Sequence, residues 1–425
     1  MKFSVCNLGC KVNTFEAESI AMRMEKRGWE RTDFEGPADA VLIFTCAVTN
    51  MAAQKSRKMM HRARRLNQKA VIAMIGCYAE VDEGLIDDAE IIVGTREKKH
   101  VPDLIEKYLQ DGQKIHLVGG LENIPFDDME TEQFENRTRA YLKVQDGCNQ
   151  FCSYCVIPYA RGRERSMAPD KVVREASLLA ENYPEIVLAG IHTGRYGREY
   201  GVSLSQLMRR ILQEVPALER LRISSIEMTE IDDDLIDLLQ SEPRVARHLH
   251  IPLQSGCDSV LKRMKRPYDT QMYFDKISEI RAKVPDVAIS CDLIVGFPGE
   301  TEEEFAETFA FLEKCAFSFL HVFPYSVRKG TPAAQMPCQI DPVIKKARLH
   351  RCTELSGQLM HQYEESWIGK EADVILETET DGGAKGYASQ YFPVVVHGAE
   401  PHSGIKHVYL REIRDGMLYG EEKSL

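Results

Sequence analysis

The chain of 425 residues is longer than one hydrophobic core usually serves, so two or three domains are expected. A formal net charge of −11 argues against indiscriminate binding of polyanions while leaving room for a local basic surface, and no stretch approaches the ~18 apolar residues of a membrane span. Twelve cysteines behind an N-terminus without a secretion pattern point to thiolate chemistry in the reducing cytoplasm rather than to disulfides.

From Lys2 to about Arg96, apolar strand-like runs alternate with helical patterns. A strand to Val5, a helix from Phe15, a strand at 41–44, a helix from Ala52 and a strand at 71–75 come first. A short run at 91–93 and a helix from Val101 follow. That alternation predicts an open parallel α/β domain over residues 1–120. Residues 122–135 carry six acidic groups and no basic one, which marks an acidic linker at 121–137. Between 138 and 362, strand candidates at 140–145, 185–189, 220–226, 247–253, 287–295 and 317–323 predict an incomplete barrel of six β/α units. Thr301 and Glu304 form a capping box behind Gly296-Phe-Pro-Gly299, so that segment reads as strand, tight turn and helix. A helical connector at 345–367 leads into residues 363–425. Gly382-Gly383, Gly398 and Asp415-Gly416 break this tail into the short strands of a small all-β barrel.

Cys148, Cys152 and Cys155 lie in one polar loop immediately after the first barrel strand. A four-iron cluster ordinarily takes four cysteines, so three in one loop leave an iron open to bind a substrate. A zinc site needs a fourth ligand nearby, and packing cysteines are more often found on strands; both are the plainer alternatives. The spacing of three residues, then two, resembles the radical S-adenosylmethionine signature. The resemblance implies that the cofactor chelates the open iron and that Tyr154 lies near its adenine.

Cys10, Cys46 and Cys77 each follow a predicted strand, and parallel strands of an open α/β sheet deliver their carboxyl ends to one crevice. A second cluster with an open iron is the sharper reading, and separate buried cysteines the plainer one. Cys6 competes with Cys10 but lies inside the strand and lacks the preceding glycine.

Both triads in this order resemble the radical S-adenosylmethionine methylthiotransferases over nearly the whole chain. Asn7-Leu-Gly-Cys-Lys-Val-Asn13, Cys46-Ala-Val-Thr-Asn50 and Lys55-Ser-Arg57 are similar to the bacterial branch acting on threonylcarbamoyl-adenosine in tRNA. Other branches act on isopentenyl-adenosine or on a ribosomal-protein aspartate. The resemblance implies two 4Fe–4S clusters, S-adenosylmethionine, and an electron donor such as flavodoxin or ferredoxin. By the same resemblance, one S-adenosylmethionine is expected to methylate a sulfur held at the auxiliary cluster, and a second to yield the radical that activates carbon-2 of adenine. A two-cluster electron carrier is the competitor from another class; it would need neither barrel nor RNA-binding tail.

Polar residues at barrel strand ends are candidates for cofactor contacts: Gly190, His192, Ser225, Glu227, Gln254 and Asp292. Each equally suits a local turn or core hydrogen bond. An anticodon stem-loop would find phosphate contacts on Lys55, Lys58, Arg62, Arg65 and Lys69, which recur at helical steps beside a stripe of Met59, Ala63, Leu66 and Ala70. A solvated charged face is the alternative. Arg161, Arg163, Arg165 and the cluster Lys262, Arg263, Lys265, Arg266 offer further cations. The tail resembles the small RNA-binding barrel of this family, the TRAM-like module, with Tyr387, Tyr391, Phe392, Lys406, Arg411 and Arg414 as contacts. Those aromatics equally suit a barrel core.

Overall fold

A computed structural model describes all residues except 83, 85–88, 123, 136 and 424–425. The N-terminal layer is a parallel sheet of six strands, in spatial order Glu30–Thr32, Lys2–Asn7, Ala40–Thr45, Val71–Gly76, Ile91–Val93 and Ile115–Leu117. Ala40–Thr45 and Val71–Gly76 are buried at every position. A parallel strand covered on both faces needs such an unbroken apolar run. The first helix, Lys11–Glu25, begins four residues before the expected start at Phe15, with Cys10 as its N-cap. Asn13, Thr14 and Glu16 are buried polar residues in its first turns, which hides the apolar period. The edge strands Glu30–Thr32 and Ile115–Leu117, only three residues each, escape the sequence pattern.

All six barrel strands form. Arg139–Lys143, Glu185–Ala189 and Arg220–Ile223 make one parallel arc; His248–His250, Ala288–Val295 and Phe319–Pro324 make the other. A bridge between Leu221 and Val245, and a hydrogen bond from the Ile226 amide to the His250 carbonyl at 3.0 Å, join the arcs. Among the described residues no pairing links the first strand to the sixth, so the barrel stays open on one side. The N-terminal layer spans that opening. Its first helix packs on Arg139–Lys143. Beyond the sixth strand, Ser326 accepts from the Asn50 amide at 3.0 Å and Arg328 donates to Asn50 Oδ1 at 3.0 Å.

The acidic stretch is strapped to both neighbours. Lys26 pairs with Glu132 at 3.1 Å and Arg31 with Glu135 at 2.9 Å on one side, while Lys171 reaches Glu130 at 3.1 Å on the other. Met129 and Phe134 are buried beneath it. The connector helix, Pro342–Glu365, leads to a closed barrel in the order Glu371–Thr380, Gly383–Ala388, Pro393–His397, Met417–Glu422, Ile405–Arg414. Trp367, Phe392 and the inward aliphatic residues fill its core. Among the described residues, no helix is long and apolar enough to cross a membrane.

Candidate active site between two cysteine triads

Cys10, Cys46 and Cys77 follow three adjacent strands of the N-terminal sheet at their carboxyl ends. Burial pushes the Cys46 thiol up to about 11, and its neighbours Cys77 and Cys10 add to the rise. Cys77 is raised by burial and again by Cys10. Cys46 therefore lies close enough to Cys77 and Cys10 to feel their charge, and Cys77 feels that of Cys10. Gly76 makes this approach possible: at φ 105° it occupies a region unfavourable to other residues, and a Cβ there would stand 3.1 Å from the Thr45 carbonyl. Cys6, raised to about 11 by burial, feels Lys55 and Arg62 instead, and it is not among the main influences on Cys46 or Cys77.

Cys148, Cys152 and Cys155 occupy the loop between the short strand Gln145–Asp146 and the helix Ile157–Arg161. Gly147 sets its entry, since a Cβ there would fall 2.0 Å from the Arg163 carbonyl. Burial takes Cys155 up to about 12, reinforced by Cys152 and Cys148. His192 Nδ1 meets Cys148 Sγ at 3.4 Å, and its Nε2 faces Glu230 at 2.8 Å. Burial alone would lower this imidazole, but those two partners raise it to about 10. Arg266 Nη1 donates to Cys152 Sγ at 3.3 Å, with Glu227 and Tyr268 holding the rest of the guanidinium. Tyr154 packs with Val260, Met264, Phe297 and Tyr325 beside this loop.

One buried side chain ties the first triad to Asp146, two residues ahead of Cys148. Arg161 Nε donates to Cys77 Sγ at 3.1 Å, Nη2 to Asn13 Oδ1 at 2.6 Å, and Nη1 to Asp146 at 3.0 Å and Glu16 at 3.2 Å. Lys98, Lys143 and Arg165 complete the network, so four cations share the two carboxylates of Glu16 and Asp146. Two positive charges remain over in a volume where uncompensated charge is strongly disfavoured. Cys77 Sγ, which accepts from Arg161, lies directly against that excess of positive charge.

The donor chemistry suits iron–sulfur clusters. Each triad offers three thiols, the number that leaves one iron of a four-iron cluster open, and a tetrahedral zinc site would call for a fourth ligand.

A cavity of about 700 Å³ runs from Cys10 through the barrel interior to the C-terminal domain. Its volume lies in the range of small-ligand sites. Ser225 and Asp292 line it, and Gly190 lines an adjoining pocket that also includes Cys10 and Ser225. His192 and Glu227 instead flank the Cys148 triad. Gln254, at φ 70°, gives its amide to the Asp292 carbonyl at 2.8 Å. At the far end, Tyr387 stacks on Tyr391 with ring centres 5.1 Å apart, and Tyr391 stacks on His248 at 5.1 Å. Arg139 and Arg222 lie over Tyr391 while pairing with the buried Glu185. The two tyrosines thus face the barrel cavity, and Phe392 packs in the core of the C-terminal barrel.

Two stretches match known families: residues 142–312 match the Radical SAM superfamily and residues 2–94 match Uncharacterized protein family UPF0004. The threonylcarbamoyladenosine tRNA methylthiotransferase MtaB of Bacillus subtilis is 41% identical over 97% of this chain and 94% of its own. The chain belongs to the radical S-adenosylmethionine methylthiotransferase family. The relative of that name from Aquifex aeolicus is 35% identical over 89% of this chain and 93% of its own length. A tRNA-2-methylthio-N(6)-dimethylallyladenosine synthase of Clostridium botulinum is 31% identical over 88% and 86%. Among solved structures, the radical S-adenosylmethionine methyltransferase TsrM of Kitasatospora setae shares the fold, with a TM-score of 0.57 and 15% identity, over 78% of this chain and 77% of its own.

Membership makes this methylthiotransferase an enzyme that uses S-adenosylmethionine and a 4Fe–4S cluster. Its basic candidates divide by burial. Lys55, Lys58, Arg62, Arg65 and Lys69 are exposed on or just past the helix Asn50–Leu66, with Arg62 paired to Glu35. The buried stripe beneath them is Ala53, Ser56, Met60 and Ala63; Leu66, expected inside, is 42% exposed. Arg163 is exposed over Phe151, but Arg165 is buried against Asp146 at 3.0 Å and is no RNA contact. Arg161 and Arg266 are likewise buried at the triads, and Arg263 pairs with Glu304 at 2.7 Å. Lys406 and Arg411 pair with Glu422 and Glu421, each at 3.0 Å. Lys11, Arg139 and Arg222 are functional candidates that sequence reasoning missed. The only signal was charge next to a cluster cysteine or inside an apolar strand.

Proposed function

We propose that the enzyme inserts a methylthio group at carbon-2 of threonylcarbamoyl-adenosine beside the tRNA anticodon, with clusters held at Cys10, Cys46, Cys77 and at Cys148, Cys152, Cys155. The observation that carries this reading is the cavity that opens onto Cys10, with Arg161 linking that triad to the loop of the other. The named relatives supply the choice of nucleoside. When bound, the clusters and S-adenosylmethionine would supply the electron, the sulfur, the methyl group and the 5′-deoxyadenosyl radical.

The chain's own residues position these groups and exclude water. His192, braced by Glu230, orients Cys148, and Arg266, braced by Glu227, orients Cys152. Ser225, Gly190 and Asp292 lie where a bound cofactor or base would pass between the triads. Tyr154 and Gln254 would support the cofactor from the Cys148 loop and from the strand end beside Asp292. The Tyr387–Tyr391–His248 stack offers a flat face within the cavity. Lys55, Lys58, Arg65 and Lys69 would hold stem phosphates, assisted by Arg163 and by a TRAM-like C-terminal barrel. Residues 1–120, 138–362 and 363–425 act as auxiliary-cluster, radical and RNA-binding domains, in the cytoplasm, with flavodoxin or ferredoxin as reductant.

Mass spectrometry of tRNA nucleosides from cells lacking the gene tests the reaction. Loss of the methylthio group from threonylcarbamoyl-adenosine, restored by the wild-type gene but not by a Cys10→Ala, Cys46→Ala, Cys77→Ala variant, is expected. Persistence of the group in a strain with no second such enzyme contradicts it. Iron bound after reconstitution should fall by about half in that variant, because four of eight irons lose their ligands.

A further inference from the structure

The cavity holds several cations, but they differ in how they are neutralised. Arg139 is bound to Glu377 at 2.7 Å and to Glu185 at 3.7 Å; Arg222 is bound to Glu185 at 2.7 Å and to the Ser389 carbonyl at 3.0 Å. His248 is kept neutral by burial and by the neighbouring Arg222, and His321 is lowered by burial. Lys11 is different. It lines both the large cavity and the adjoining pocket, and among the described residues it has no ion pair or hydrogen bond from its ammonium. Its charge is nonetheless felt by His248 and His321, so its field extends into the cavity. The cavity's carboxylate, Asp292, is engaged by His250 Nε2 at 3.2 Å.

An unpaired ammonium in a site walled by Phe319, Phe323 and Tyr141 is an anion receptor. It directly follows Cys10, a ligand of the auxiliary triad. In adenine, carbon-2 and the exocyclic N6 flank N1 on the same edge, so a group delivering to carbon-2 and a group reading the N6 substituent belong side by side. A threonylcarbamoyl substituent ends in a free carboxylate; an isopentenyl substituent is wholly apolar.

We propose that Lys11 binds the carboxylate of the N6 substituent and so sets which modified adenosine the enzyme accepts. This rests on the reading of threonylcarbamoyl-adenosine as substrate. A charged hydrogen bond formed on binding is worth a discrimination of about 10- to 100-fold, because the apolar alternative leaves the ammonium without a partner.

The test uses reconstituted full-length enzyme with S-adenosylmethionine and two synthetic anticodon stem-loops, one with the free threonylcarbamoyl acid and one with its methyl ester. Dissociation constants come from fluorescence anisotropy and product from mass spectrometry. The wild-type enzyme should bind the acid about 10- to 100-fold more tightly than the ester, Lys11→Gln should bind the two alike, and Lys11→Arg should restore most of the preference. The ester comparison on wild-type enzyme needs no variant, so misfolding cannot mimic the result. Equal binding of acid and ester by the wild type overturns the role of Lys11, as does an undiminished acid preference in Lys11→Gln. A wild-type preference for the acid, abolished in Lys11→Gln but without any methylthio product, supports the receptor and overturns the assigned reaction instead.

Discussion

Replacing Arg161 by methionine removes the charge that ties Cys77 to Asp146 ahead of the second triad, while keeping most of the side-chain volume. The guanidinium loses four partners at once: Cys77 Sγ at 3.1 Å, Asn13 Oδ1 at 2.6 Å, Asp146 Oδ1 at 3.0 Å and Glu16 Oε1 at 3.2 Å. Breaking a buried ion pair by deleting one member costs about 3–5 kcal/mol. Glu16 keeps Lys98 at 2.6 Å and Lys143 at 2.7 Å, and Asp146 keeps Lys143 at 2.8 Å and Arg165 at 3.0 Å. Both carboxylates therefore remain compensated, and the loss reduces to the hydrogen bonds at Cys77 and Asn13, about 1–3 kcal/mol. Urea unfolding of the metal-free protein measures this term. Reconstituted protein should suffer more, because Arg161 also balances the thiolate at Cys77, and iron should be lost first from the N-terminal triad. Destabilisation below about 1 kcal/mol, together with unchanged iron content, would refute the assignment of Arg161 as the charge link.

Glu364 is buried in the connector helix with Oε1 unpartnered, and burial raises its carboxyl to about 7. Its folded pKa lies above its ordinary value of 4.5, so its favourable contribution is present at low pH and lost as pH rises through 7. Glu364→Gln should therefore raise the Tm relative to wild type more at pH 8 than at pH 5; a gap independent of pH contradicts this. Glu185 behaves oppositely: burial alone would raise it, but Arg222, Arg139 and Arg220 bring it down to about 2. Its contribution is present above 4.5 and lost as pH falls toward 2, so acid unfolding of wild type should be steeper over that range than that of Glu185→Gln. Gly147→Ala places a Cβ 2.0 Å from the Arg163 carbonyl at φ 72°. The left-handed backbone alone costs roughly 1–3 kcal/mol, and circular dichroism melting with iron analysis should show destabilisation and loss of iron at the Cys148 loop. Wild-type melting and iron content would count against that steric reading.

The six barrel strands were legible because runs such as Glu185–Ala189 are buried throughout and interrupted by amphipathic helices. The cluster cysteines were legible for a different reason, since spacing in one loop and position at strand ends both survive in linear sequence. What escaped was burial of charge. Arg161, Arg165 and Arg266 read as surface cations along the chain, yet folding places each beside a carboxylate or thiol from another segment. The same long-range pairing hid the start of the helix Lys11–Glu25, whose Asn13 and Glu16 are polar but inside. Likewise, Tyr387 and Tyr391 announced an aromatic surface, but only the docking of the tail on the barrel shows that they face Arg139 and His248.

The most direct measurement is mass spectrometry of the nucleosides released from a threonylcarbamoyl-adenosine stem-loop after incubation with reconstituted enzyme, S-adenosylmethionine, a sulfur source and a low-potential reductant. The account predicts 2-methylthio-threonylcarbamoyl-adenosine together with 5′-deoxyadenosine. Formation of 5′-deoxyadenosine with the stem-loop left unmodified, by enzyme carrying its full iron complement, would contradict it.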